Sequence, residues 1–211
     1  MAQAVSIALP HATRLPRRRT RSRKVGRMTA ADDGELMLAY ARGDLRSFEL
    51  LYARYRVPLY RYLVRQTHDR ALADDLFQET WSKIITARER YSVRAKFQTF
   101  LFHVAHNCFL DNCRRSNARP QASDDPDAAE LLVANESDNP EQLAQQSQRT
   151  QRLRHAVAAL PAEQRDVFLM FEESGLSLDE IATATGVGVE TAKSRLRYAV
   201  AKLRSTLGSE S

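Results

Sequence analysis

Residues 177–204 read SLDEIATATGVGVETAKSRLRYAVAKLR, and this stretch decides the fold of the chain's second half. Ser177, followed three residues later by Glu180, is a capping-box pattern, which predicts that a short helix starts there. The glycines at 186 and 188 predict a tight turn, after which a longer basic helix runs from about Val189 to Leu207. Two helices joined by such a turn are the pattern of a helix-turn-helix.

The last of these helices divides into an apolar and a polar side. Apolar residues recur at spacings of four, four, three and four, which predicts one buried stripe formed by Ala192, Leu196, Val200, Leu203 and Leu207. A helix of this kind fits the major groove, where Arg reads guanine and Ser or Thr reads several bases. The alternative is a solvated charged face on a terminal helix. The residues left for solvent or DNA are Glu190, Thr191, Lys193, Ser194, Arg195, Arg197 and Tyr198.

A second signal lies between residues 88 and 115, where aromatic residues alternate with cations and hydrogen-bond donors. Single-stranded DNA favours this mixture, because bases stack on rings and the backbone is attracted to positive charge. Asn107 could in addition hold a base outside the stack. The composition equally allows the rings to be core, since Phe97, Leu101, Val104 and Cys108 make a buried stripe on the same helix. The candidate DNA-binding residues are Arg90, Tyr91, Arg94, Lys96, Phe100, His103, His106, Asn107, Arg114 and Arg115.

Working outward, the pattern predicts an all-α chain with two small helical domains joined by a flexible acidic linker. Apolar residues recur at helical spacing, and no long alternating run predicts a sheet. Pro58 lies inside the second predicted helix and is expected to kink or break it. The predicted segments are a basic tail (1–31), a first helical domain (32–116), a linker (117–140), a second helical domain (141–207) and a short C-terminal tail (208–211).

Charge is unevenly distributed along these segments. The formal net charge of +6 arises from the tail, since residues 1–31 alone carry +8. Residues 117–141 carry −6, so two basic folded ends flank an acidic connector. The tail has three interpretations, which stay open: an over-extended start codon with Met28 as the usual start, a basic arm that holds DNA non-specifically, and a targeting peptide.

Several classes of function are disfavoured. His103, His106 and Cys108 invite a zinc interpretation, but no fourth ligand pattern stands nearby and Cys108 lies on the buried stripe. No phosphate loop, nucleophile elbow or catalytic triad order is present, which predicts a protein that is not an enzyme and has no cofactor or small-molecule substrate. Two cysteines predict a reducing, cytoplasmic location. No apolar stretch approaches membrane-spanning length.

Specific motifs resemble the sigma-70 family. Residues 32–115 resemble its region two, through Asp74-Asp75-Leu76-Phe77-Gln78-Glu79-Thr80-Trp81, Phe97-Gln98-Thr99-Phe100-Leu101, Ala105-His106-Asn107 and Asp111-Asn112-Cys113-Arg114-Arg115. Residues 143–207 resemble region four, through Ala159-Leu160-Pro161-Ala162-Glu163-Gln164-Arg165 and Thr191-Ala192-Lys193-Ser194-Arg195-Leu196-Arg197. With no further region between them, the chain resembles the extracytoplasmic-function (ECF) group.

The resemblance implies a transcription initiation factor that binds core RNA polymerase and promoter DNA. The third helix, with Asp74, Asp75, Gln78 and Glu79, would bind the polymerase clamp helices. The fourth helix and the loop before it would melt the minus-ten element, and the last helix would read the minus-thirty-five element. Members of this group are often held by an anti-sigma factor, which is therefore a further expected partner.

Two departures from the family pattern affect the fourth helix. Phe100 stands where the group usually has Trp, and Gln98 and His106 stand where Arg is common. Gln98 and His106 weaken attraction to the DNA backbone, and Phe100 keeps open a sigma-like protein that no longer starts transcription. The main rival is a helix-turn-helix regulator that binds duplex DNA without polymerase, and a more distant one is a hydrolase built on His103, His106 and Asp111.

Overall fold

The computed structural model describes residues 32–93, 95–117 and 140–208. The predicted tail, nearly all of the linker, the C-terminal residues 209–211 and Arg94 lie outside the described residues. Within the described ranges, every regular element is a helix. The all-α prediction is therefore confirmed.

Four helices form an N-terminal bundle. They are α1 (Asp33–Ala41), α2 (Leu45–Thr67), α3 (Arg70–Ala87) and α4 (Phe97–Asn117), with a 3-10 turn at Arg88–Arg90. Local chemistry sets their starts, because the Asp44 carboxylate accepts from the Arg46 amide and the Asp69 carboxylate accepts from the Leu72 amide, each at 3.1 Å. The bundle's core is built from the large apolar residues Leu51, Leu59, Leu63, Leu76, Ile84, Phe97, Leu101 and Phe102.

Tertiary contacts decide two details of this bundle, one at the start of α1 and one at Pro58, where the predicted break does not occur. Asp32 occupies the N-cap position of α1 but makes no side-chain cap, while the Asp33 carboxylate instead accepts from Arg54 and Tyr55 of α2. Pro58 does not break α2, which is continuous over 23 residues. Packing explains the continuity of α2, because Leu59, next to the proline, and Tyr62, about one turn further on, are fully buried and hold the helix in place.

The remaining helices form a C-terminal bundle. It contains α5 (Pro140–Ala158), α6 (Ala162–Leu169) with a π-helical turn at Met170–Ser174, α7 (Leu178–Thr185) and α8 (Val189–Gly208). α8 packs on α5, α6 and α7. The prediction of its buried stripe was partly wrong: Ala192 and Leu203 are buried and Leu196 and Val200 are half-buried, but Leu207 is 42% exposed, and Ala199, outside the predicted stripe, is buried. The four residues of α8 beyond Arg204 are all exposed, so among the described residues nothing covers Leu207 in the last turn.

The two bundles touch each other. α4 packs against α7, and α2 packs against α6 and the π-helical turn. The contact between the bundles includes polar pairs such as His106 with Asp166 and His103 with the Ala184 carbonyl.

Candidate nucleic-acid interface

The helix-turn-helix is built from α7 and α8, as predicted. The Glu180 amide donates to the Ser177 hydroxyl at 3.3 Å, and the Ser177 amide donates to the Glu180 carboxylate at 2.8 Å, which completes the capping box. α7 ends at Gly186, whose φ of +70° lies in the left-handed region that glycine adopts without strain. These local features fix where α8 begins and therefore which of its side chains face outward.

The outer face of α8 carries most of the predicted DNA-reading residues at the surface. Arg197 lies over the ring of Tyr198, with its guanidinium carbon 5.1 Å from the ring centre. The Arg195 side chain is less available to DNA than that of Arg197, because it forms an ion pair with Glu163 of α6 and is only 24% exposed. Glu190, Thr191, Lys193, Arg197 and Tyr198 are exposed, and Ser194 and Arg195 are half-buried.

The loop before α4 is anchored by a short chain of rings. Tyr91 lies 5.5 Å from Phe100 and 6.4 Å from Phe97, measured between ring centres. Burial, together with nearby Asp32 and Asp33, raises the pKa of the Tyr91 hydroxyl, which therefore stays neutral. Phe97 is core, while Phe100 is half-buried at the surface. Tyr91 and Phe100 together form a partly exposed aromatic platform, and Arg90 beside it is exposed.

Polar residues of α4 face the C-terminal bundle. The His103 Nδ1 atom lies 2.8 Å from the Ala184 carbonyl, and its Nε2 atom lies 3.0 Å from the Asn107 amide nitrogen. Because a carbonyl oxygen can only accept, Nδ1 must carry the proton, and in the neutral ring Nε2 then accepts from Asn107. Lys96, just before α4, lies 2.7 Å from the Glu180 carboxylate of α7.

His106 is not at the surface, contrary to its place among the predicted DNA-binding residues. It is 8% exposed, and its Nδ1 atom lies 2.9 Å from one carboxylate oxygen of Asp166 in α6. Tyr62 of α2 donates to the other oxygen of Asp166 at 2.6 Å. Burial and the Asp166 charge raise the pKa of Tyr62 well above its usual value, so its hydroxyl remains a donor. Arg114 and Arg115, at the far end of α4, are exposed.

Sequence reasoning missed the partners of these residues. Asp166, Glu173 and Glu180 belong to the C-terminal bundle and contact the N-terminal one. One signal was available for Asp166, which directly precedes the apolar residues Val167, Phe168 and Leu169 in a short helix, since a carboxylate beside a buried face requires a partner. Nothing local marks Glu173 or Glu180 as a contact with the N-terminal bundle, since the capping-box pattern explains Glu180 within its own helix.

The predicted polymerase-binding residues occupy one side of α3. Asp74 and Gln78 are four residues apart, as are Asp75 and Glu79, so each pair stacks along the helix. Asp74, Asp75 and Gln78 are exposed, and Glu79 is half-buried with its carboxylate 2.9 Å from the Lys83 amine. This side of α3 is therefore open to a partner.

Neither a metal centre nor a membrane span is found in the described part of the chain. No cluster of three or more His, Cys, Asp or Glu side chains among the described residues could hold a metal ion. None of the described helices is long and apolar enough to cross a membrane.

The fold and the site define a protein with two helical bundles, one of which carries a helix-turn-helix. The family model of sigma-70 region 2 matches residues 51–119, and that of sigma-70 region 4 matches residues 150–203. The chain belongs to the sigma-70 family, in its ECF group, and is an RNA polymerase sigma factor.

Curated relatives and solved structures agree with this assignment. The ECF RNA polymerase sigma factor SigL of Mycobacterium tuberculosis is 33% identical over 168 residues, which cover 79% of this chain and 92% of that protein. RNA polymerase sigma-H factor of Pseudomonas aeruginosa is 28% identical over 174 residues, covering 80% and 90%. All of these relatives are transcription initiation factors.

Two solved structures share the fold. CnrH in complex with the cytosolic domain of CnrY aligns with a TM-score of 0.60 and 22% identity, covering 85% of this chain and 100% of that one. The sigma factor RpoE in complex with the anti-sigma factor NepR, from Bartonella quintana, aligns with a TM-score of 0.61 and 20% identity, covering 79% and 99%.

Proposed function

We propose that this sigma factor reads a minus-thirty-five element with α8, opens a minus-ten element with α4 and its preceding loop, and binds core polymerase through α3. The observation that carries the proposal is the pair of candidate DNA surfaces, one in each bundle, with the acidic segment 117–140 between them in the sequence. A regulator that binds only duplex DNA has no use for the second surface.

The minus-thirty-five surface is the outer face of α8. Its exposed Lys193 and Arg197 supply donors for base edges or phosphates, and Thr191 supplies a hydroxyl group. Arg195 has a different role in this proposal. Its ion pair with Glu163 holds the side chain against α6, so it positions α8 or contacts a phosphate with the rest of its guanidinium group.

The minus-ten surface is the aromatic platform of Tyr91 and Phe100, together with the polar residues of α4. A base stacks on a half-buried ring because one face of the ring is held by the protein and the other remains open. Asn107 can supply the amide group that a captured base requires. Phe100 offers a smaller stacking surface than the Trp usual in the group, so weaker melting is expected from this chain.

Partners and location follow the family. Asp74, Asp75, Gln78 and Glu79 of α3 would contact the clamp helices of core polymerase, and no catalytic step is assigned to this chain. An anti-sigma factor is proposed as a further partner, supported by the likeness to RpoE, whose solved structure includes the anti-sigma factor NepR. The proposed location is the cytoplasm, where polymerase and promoter DNA are found.

Run-off transcription tests the proposal. Core polymerase is incubated with a library of genomic fragments, with and without this protein, and start sites are mapped. New start sites that share two spaced motifs are expected. If the protein binds DNA but no start sites appear, the helix-turn-helix regulator becomes the better description.

Two matched pairs of variants test whether α8 binds the minus-thirty-five element and α4 the minus-ten element. Arg197→Ala should reduce transcription most at promoters whose minus-thirty-five element matches the shared motif best. Arg204→Ala, on the same helix but outside the predicted set, should not show this dependence. Asn107→Ala should slow promoter opening, whereas Asn112→Ala, further along α4, should leave it unchanged. If both members of a pair behave alike, the surface they test is wrongly assigned.

A further inference from the structure

The loop before α4 is anchored to α1 at its first residue. The 3-10 turn at Arg88–Arg90 packs against α1. The Arg88 guanidinium carbon lies 5.5 Å from the centre of the Tyr40 ring, and its Nη1 atom lies 3.5 Å from the Tyr40 hydroxyl oxygen. Tyr40 is only 4% exposed, so it offers Arg88 a fixed surface. α1 therefore holds the start of the loop.

The middle of the loop lies against the first turn of α1. The Tyr91 hydroxyl oxygen is buried, and Asp32 and Asp33 are close enough for their charges to act on it. Asp33 is itself held in place, because its carboxylate accepts hydrogen bonds from two side chains of α2. The hydroxyl end of Tyr91 thus points inward, and its ring remains beside Phe100 as part of the aromatic platform.

The third contact between α1 and the loop involves a glycine. A β-carbon at position 34 would lie 3.4 Å from both methyl groups of Val93 and 3.5 Å from a carboxylate oxygen of Asp32. These are ordinary contact distances, so alanine fits at position 34, whereas a larger side chain extends into the space of Val93. Val93 is the neighbour that can move, since it lies on a loop and is 55% exposed.

Local structure gives no reason for this glycine. Gly34 is the second residue of α1, and glycine is among the least favourable residues in a helix. An isolated glycine in a helix often has a packing or functional reason, such as the close approach of another part of the chain. The approaching residue here is Val93, which lies two residues after Tyr91.

We propose that Gly34 is a positioning residue for promoter opening: by leaving room for Val93, it lets α1 fix Tyr91 beside Phe100. The inference rests on the proposed role of these two rings at the minus-ten element. A displaced Val93 pulls the loop from α1 and moves Tyr91 relative to Phe100, whose ring centre is 5.5 Å away. A binding site loses function when its supporting residues let it shift by about 1 Å.

The test uses the holoenzyme, assembled from core polymerase and the full chain, and a labelled single strand carrying the minus-ten element mapped by run-off transcription. Each base of the strand is removed in turn, which leaves an abasic site in an intact backbone. The wild-type holoenzyme should bind roughly tenfold more weakly where the missing base is the one that stacks on the aromatic platform. This ratio of affinities, with and without the base, reports stacking, because contacts to the backbone are common to both strands.

Substitutions at position 34 should change this ratio according to their size. The ratio should fall from Gly34→Ala through Gly34→Val to Gly34→Leu, which should bring it close to one. Adding Val93→Ala to Gly34→Leu should restore most of the ratio, since it makes room for the leucine. Glu35→Leu is the matched control, because it adds the same side chain at the next residue of α1, which is exposed. Far-UV circular dichroism checks the folding of each variant, and Gly34→Val carries the test if Gly34→Leu is unfolded.

The outcomes separate this inference from the proposed function. If no abasic site weakens binding by the wild-type holoenzyme, the proposed role of Tyr91 and Phe100 is overturned, and the role of Gly34 with it. A clear loss in wild type that Gly34→Leu leaves unchanged would overturn the role of Gly34 alone. A ratio that Gly34→Leu abolishes and Val93→Ala does not restore would place the effect of the leucine elsewhere and would also overturn it. The same conclusion follows if Glu35→Leu lowers the ratio as much as Gly34→Leu.

Discussion

Replacement of Ser177 by Ala tests how far the helix-turn-helix depends on its cap. α7 has only eight residues, too few for a stable helix in isolation. The Ser177 hydroxyl accepts one bond, from the Glu180 amide at 3.3 Å. The reciprocal bond at 2.8 Å uses the Ser177 backbone amide and survives the substitution.

The size of the effect follows from these two bonds. Loss of an N-cap side chain costs about 0.5–2 kcal/mol. The lost bond is long and exposed and half of the box remains, so Ser177→Ala should lower the free energy of unfolding by about 0.5–1 kcal/mol, the lower part of that range. With a urea dependence of about 1 kcal/mol/M for a small domain, the midpoint should fall by roughly 0.5–1 M.

Two spectroscopic signals distinguish unfolding of the N-terminal bundle from unfolding of the whole protein. Its single tryptophan, Trp81, is 5% exposed in the N-terminal bundle, so its fluorescence follows that bundle, while far-UV circular dichroism follows both. Ser177→Ala should shift the dichroism transition more than the fluorescence transition. Ser177→Asp keeps an acceptor at the cap and should be close to wild type.

Thr183→Ala is the matched control on the same helix. Thr183 is exposed and its hydroxyl bonds only to a carbonyl within α7, so alanine should be neutral or slightly stabilising there. If Ser177→Ala is no more destabilising than Thr183→Ala, the capping argument is refuted. Equal shifts of both probes would instead show that the bundles unfold as one unit.

Four further outcomes are expected. Phe102→Ala should lower the free energy of unfolding by about 3–5 kcal/mol in urea titrations, because its ring is fully buried, whereas Phe171→Ala, 42% exposed, should change it by less than about 0.5 kcal/mol. Arg195→Ala should weaken all mapped promoters about equally in run-off assays, because Arg195 positions α8 or contacts a phosphate, whereas a loss of about 1–3 kcal/mol confined to specific promoters would indicate a bidentate contact with a base. Deletion of residues 1–27 should leave the mapped promoters unchanged and lower only salt-sensitive DNA binding, which a change in promoter choice would contradict. Burial raises the pKa of Glu173 although Arg65 opposes it, so the folded state holds this proton more tightly than the unfolded state. Stability should therefore decline as pH rises from the ordinary glutamate range through the raised pKa, and Glu173→Gln should lose that decline in unfolding titrations at several pH values.

Local patterns in the sequence were sufficient to place the helices. α7 begins directly after Ser177, the predicted capping residue, and α8 begins at the predicted Val189 and ends one residue after the predicted Leu207. Both results follow from side chains that act within one helical turn. The helix-turn-helix was predictable for the same reason.

Contacts between distant residues were not predictable in this way. His106 and Phe100 were grouped with the DNA-binding residues on composition, yet His106 is buried against Asp166, 60 residues further along the chain. No local pattern carries that pairing, since it depends on how the bundles pack. For the aromatic residues of α4, composition favoured neither a core role nor a DNA-binding role. Only the packing of the bundle distinguishes Phe102, which is fully buried, from Phe100, which is half-buried.

Glu180 of α7 has partners in both bundles. One carboxylate oxygen receives the Ser177 amide and the other lies against Lys96 of the N-terminal bundle. A substitution at this position alters the helix-turn-helix and the approach to α4 together. In a genetic screen, its defects should be relieved by second-site changes in either bundle, and drift at positions 96 and 180 should be correlated among descendants of this chain. One carboxylate thereby links the evolution of the two surfaces that are proposed to read different DNA elements.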